Sequence, residues 1–201
     1  MKRFLILLSV GLFALTGLRA QDLTAAEIER ATTYLKKTSD AFLASVKGLS
    51  AEQLAFKPAP ERWSVSQVSE HIAAAEDMLF GMIETQVMKA PARTEPTDVK
   101  EIDEMVLKVL PDRSHKLQAP EPLIPTNRFG TEKDTLAHFK TSRAKTIAFV
   151  SETKDLRGHA VDSPLGKKLD AYEWVLFIAA HSERHTKQIE EVKADPNFPK
   201  K

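Results

Sequence analysis

The chain has 201 residues, 29 Lys and Arg against 28 Asp and Glu, and no cysteine. That length suits one domain, or a domain plus a tail, and is enough to bury a real core. The lack of cysteine excludes disulfides, thiolate ligands and a cysteine nucleophile, so any metal must be held by imidazole or carboxylate. Acidic and basic side chains are interspersed, as with Lys36 and Lys37 near Asp40, and Glu183 beside Arg184. No basic stripe tracks a phosphate backbone, which argues against a nucleic-acid partner.

The chain opens on Lys2 and Arg3, followed by an apolar run over residues 4–17 (FLILLSVGLFALTG) and a small residue, Ala20. This pattern predicts a secretory signal peptide over residues 1–20, with the working domain at residues 21–201. The run is short for a transmembrane helix. No cysteine follows it to carry a lipid, so the domain is expected secreted or periplasmic, and free of the membrane after cleavage.

Four long amphipathic segments follow. In the first, from about residue 24 to 47, Ile28, Ala31, Leu35, Phe42 and Val46 share one face, and Gly48 offers a stop. A loop with Pro58 and Pro60 leads to a second helix that starts at Ser64, where Ser64 and Gln67 have capping-box spacing. Its core stripe is Val65, Val68, Ile72, Ala75, Leu79 and Met82, and the pattern runs to about Met88. Val99, Ile102, Val106 and Val109 predict a short additional helix before a Pro-rich stretch, APEPLIP. A third long helix begins near Thr131 and Asp134, with Leu136, Phe139, Ile147 and Val150 on its apolar side and Arg143 close to that stripe. The fourth begins at the Asp170/Glu173 capping box. No segment alternates like a strand, and the fold class read from these elements is an all-α four-helix bundle.

On the fourth helix Trp174, Ile178, His181, His185, Gln188 and Val192 follow one face at steps of four and three. His181 and His185 therefore stand one turn apart where core residues belong, and can grip one ion. An imidazole turned into a bundle must be hydrogen-bonded or metallated, because burying it unsatisfied is costly. His71, at the edge of the second helix's stripe, is a third imidazole on a facing helix, followed by Ala73, Ala74 and Ala75, which allow close approach. Gln188 is placed to orient a ring. HSERH is not a zincin motif, since Ser182 stands where the base should be. His115, His138 and His159 read as exposed, and Trp63 as a packing plug before Ser64.

The segments LSAEQLAFKPAPERWSVSQVSEHIAAAE and PLGKKLDAYEWVLFIAAHSERHTKQIEEV together resemble the DinB-like superfamily of metal-binding four-helix bundles. The shared pattern is a Trp-Ser entry into a helix with one His (Trp63, Ser64, His71), then a late H-x-x-x-H followed by Gln (His181, His185, Gln188). The resemblance implies one divalent metal ion on His71, His181 and His185, and often a homodimer; imidazole and carboxylate donors suit zinc or nickel first, and iron or manganese next. Some members of the family are thiol-dependent transferases or isomerases. Two functions follow. One is a metal-dependent hydrolase or transferase acting on a small molecule, with Glu76 and Glu183 near enough in sequence to be considered as bases. The other is a non-catalytic metal-binding or structural module of the cell envelope.

Overall fold

The computed structural model describes residues 22–114 and 118–200. The segment read as a signal peptide and His115 lie outside the described residues. The helices are α1 (Ala25–Val46), α2 (Ala51–Ala55), α3 (Val65–Thr85), α4 (Val99–Val109), α5 (Glu132–Glu152) and α6 (Ala171–Lys193). The bundle consists of α1, α3, α5 and α6. Around it α1 packs on α5 and α6, and α3 packs on the same two. Helices joined in sequence, α1 to α3 and α5 to α6, therefore stand diagonally, while α3 and α5 are neighbours. No helix among the described residues is long and apolar enough to cross a membrane.

The helix starts follow local chemistry. Each bundle helix opens with a full capping box: Thr24/Glu27, Ser64/Gln67, Thr131/Asp134 and Asp170/Glu173. In each box two backbone N–H groups that lack intrahelical acceptors are satisfied by side chains. The Lys47 cap and Gly48, at φ 71°, end α1; the left-handed conformation there favours glycine.

Three expectations are corrected by the structure. The loop before Ser64 holds the short helix α2, because Ser50 and Gln53 form another capping box. Helix α3 stops at Thr85, and a tighter turn over Val87–Lys89 replaces its predicted last turn. A two-stranded antiparallel hairpin, β1 (Ala160–Asp162) and β2 (Lys168–Asp170), occupies a stretch expected to hold no strand. Strands of three residues are too short to display an alternating pattern.

Arg143, which looked out of place beside an apolar stripe, is 2% exposed and ties the four long helices together. Its Nε and Nη2 donate to the two Glu76 carboxylate oxygens on α3, at 2.9 and 2.7 Å. Nη1 donates to the Leu35 carbonyl and Thr38 hydroxyl of α1, and Nη2 also to Ser182 of α6. Thr146 donates a further bond to Glu76. All five guanidinium N–H groups thus have acceptors, which is the condition for burying such a charge.

Candidate metal centre

His71 comes from the buried face of α3, and His181 and His185 from consecutive turns of α6. The ridge of Ala73, Ala74 and Ala75 is buried, so side chains on α3 and α6 can meet. The Nε2 atom of His71 lies 3.3 Å from Nε2 of His181 and 3.2 Å from Nε2 of His185. The ligand atoms of all three rings lie within 4.8 Å of one another. His71 is 2% exposed, whereas His181 and His185 keep some access to solvent.

The outer nitrogens hold the rings in place. His71 Nδ1 is 2.9 Å from the Leu123 carbonyl, and His185 Nδ1 is 2.8 Å from Gln188 Oε1. A carbonyl oxygen only accepts, so each Nδ1 carries the proton and each Nε2 offers a lone pair to the centre. Burial, above all, holds the His71 imidazole below its ordinary pKa. Burial and then the charge of neighbouring rings hold His181 and His185 well below it. Three imidazoles held toward the neutral form, two of them with Nε2 lone pairs turned inward, make a donor set for a borderline divalent ion. A tetrahedral site with metal–nitrogen bonds of about 2.0–2.1 Å has edges of about 3.3–3.4 Å. The two shortest nitrogen separations match that edge, so the residues fit such an ion.

The Leu123 carbonyl had no signal in the sequence. It reaches His71 because the Pro-rich stretch forms a turn over Glu121–Leu123 against α3. Glu70, one residue before His71, holds the chain beyond that turn by accepting backbone N–H groups of Thr126, Asn127 and Arg128 at 2.8, 2.8 and 3.1 Å. Trp63 packs as expected, with its ring centroid 4.9 Å from that of His71. The partnership of Gln188 with His185 was legible from helical spacing.

The remaining candidates lie elsewhere. Glu76 is committed to Arg143. Glu183 accepts from the Tyr34 hydroxyl at 2.8 Å and pairs with Lys187. Neither carboxylate is free to take a proton at the triad. His138, expected to be exposed, is partly buried: it stacks on Phe129 and pairs with Asp77. His159, expected to be exposed, is half-buried: its Nδ1 meets the Ala90 carbonyl at 2.6 Å, and Ala92 bridges to its backbone.

The comparisons agree with this architecture. The family model described as the DinB superfamily matches residues 34–189. The protein YuaE of Bacillus subtilis is 31% identical over 149 residues, covering 74% of this chain and 88% of its own. In fold the chain is similar to YfiT from Bacillus subtilis, described as a probable metal-dependent hydrolase with an unusual four-helix bundle topology. That match has a TM-score of 0.57 at 15% identity, covering 88% of this chain and 91% of the other.

Proposed function

The chain belongs to the DinB superfamily, and on that premise we propose that it is a metal-dependent hydrolase of small molecules with His71, His181 and His185 as ligands of one divalent ion. The observation that carries this reading is the convergence of three Nε2 atoms, two of them, on His71 and His185, on rings whose outer nitrogens are already bonded. The description of YfiT, whose fold this chain shares, supports it.

A divalent ion held by His71, His181 and His185 would supply Lewis acidity to a carbonyl or to water. This chain's residues do the rest. Leu123 and Gln188 fix the two rings that face each other across the centre. His181 and His185 remain partly exposed, which leaves an approach for a small substrate. Among the described residues three metal-ligand side chains converge, which favours a reactive site over the closed, four-ligand structural module. We place this activity outside the cytoplasm on the strength of the apolar leader at residues 4–17.

The test is metal analysis of protein purified without a His-tag, followed by a panel of small esters and amides with zinc, nickel or chelator. Stoichiometric metal and a chelator-sensitive hydrolysis rate, lost in His185→Ala, are expected. Protein that takes up neither ion overturns the assignment.

A further inference from the structure

We infer that Arg113 is a positioning residue that sets the proton of His185 by fixing the orientation of the Gln188 amide. Arg113 lies in the segment after α4 and reaches across to α6. Its Nε and Nη2 donate to the two carboxylate oxygens of Glu191, at 2.6 and 2.8 Å. Its Nη1 donates to Gln188 Oε1 at 3.3 Å, the same oxygen that lies 2.8 Å from His185 Nδ1. The Arg113 side chain is only 14% exposed.

An amide side chain can present either its oxygen or its nitrogen to a neighbour, and the two ends differ in what they demand. A guanidinium has donors only. It therefore selects the amide oxygen, and an oxygen facing His185 Nδ1 requires that nitrogen to carry the proton. The lone pair then falls on Nε2, toward His71. With the amide turned over, its NH2 group would face the guanidinium, and His185 Nδ1 would have to accept. The proton would move to Nε2, in the middle of the triad, where it competes with a metal. The fork of Glu191 fixes the guanidinium and offsets part of its charge, although His185 still feels the remainder.

The segment carrying Arg113 is also anchored. Arg184 Nη1 donates to the carbonyls of Leu110 and Asp112, and Lys187 reaches the Pro111 carbonyl at 3.3 Å. Arg113 is thus presented from a held backbone rather than from a free loop.

The inference rests on the metal-site reading above, and the experiment separates the two. The tautomer of His185 is read from its ring nitrogen shifts by NMR in metal-free protein, and zinc affinity by competition with a chromophoric chelator. Wild-type protein should show Nδ1–H at His185. Arg113→Met should show a mixture of tautomers and bind zinc about tenfold more weakly, the lower end of the usual effect of outer-shell changes. Gln188→Glu supplies an acceptor that cannot turn over into a donor. It should therefore restore affinity in the Arg113→Met background, by a factor clearly larger than any gain it gives with Arg113 present. A purely structural Arg113 would show no such selective rescue. Nε2–H at His185 in the wild-type protein overturns the inference whatever the variants do, as does Arg113→Met with unchanged tautomer and affinity. Wild-type protein that takes up no zinc overturns the metal reading, and the nitrogen shifts then decide the role of Arg113 on their own.

Discussion

Nε2 of His71 and Nε2 of His185 face each other at 3.2 Å with no proton between them, because each ring spends its proton on an oxygen outside the triad. Two lone pairs at that distance repel unless a cation or a shared proton lies between them. The folded protein is thereby built to gain from binding an ion.

Zinc should accordingly raise the unfolding midpoint. A ligand at a hundred times its Kd stabilises by about 2.7 kcal/mol. For a domain of this size that amounts to roughly 5–10 °C. Calorimetry with and without zinc should show this rise, and chelator should reverse it. His71→Ala and His185→Ala should lose the response equally. A zinc response that survives in His71→Ala would remove that residue from the ligand set.

The Arg143–Glu76 pair should matter far more when halved than when removed. Arg143→Met leaves a carboxylate buried among four helices and should cost about 3–5 kcal/mol in urea unfolding. Arg143→Met combined with Glu76→Leu should recover much of that loss, since no lone charge then remains. Equal destabilisation in the single and double variants would mean that packing, not charge, dominates there.

Glu132 gives the protein a pH dependence. Its carboxylate oxygens are buried with no hydrogen-bond partner among the described residues, and the nearby Ser69 hydroxyl donates to the Val65 carbonyl. Burial pushes the Glu132 carboxyl up to about 7. In the unfolded chain it ionises near its ordinary value of 4.5, so the unfolded state loses its proton first. This contribution is therefore fully present below that value and declines as pH rises through about 7. Glu132→Gln cannot ionise, so it should hold its melting temperature better than wild type between pH ~5 and ~8. Parallel melting curves for the two proteins across that range would refute the assignment.

Gly81 sits inside α3 at a position where an added Cβ meets nothing within 4 Å. Gly81→Ala should stabilise the protein by about 0.5–1 kcal/mol, through the lower backbone entropy of the unfolded chain. Urea midpoints at constant slope provide the measurement. The change should leave zinc affinity untouched, since Gly81 lies nearly three turns beyond His71 on the same helix.

Much of this was legible in the sequence because it depends on neighbours three or four residues apart. Ser64 with Gln67, Asp170 with Glu173, and His181 with His185 and Gln188 are all pairs whose geometry a helix sets by itself. The same spacing fails where an element is too short to repeat, as in α2 and the β1–β2 hairpin.

Which distant groups meet depends on how the helices pack. The diagonal placement of α1 and α3, the Leu123 carbonyl on His71, the Arg113 fork on α6 and the position of Arg143 among four helices join residues far apart in the chain. Helical spacing along the chain already puts His71, His181 and His185 on core-facing stripes. Only the packing of α3 against α6 brought their Nε2 atoms to 3.2 and 3.3 Å, because helical periodicity sets a side chain's direction around its own axis and carries no information about the partner across the bundle.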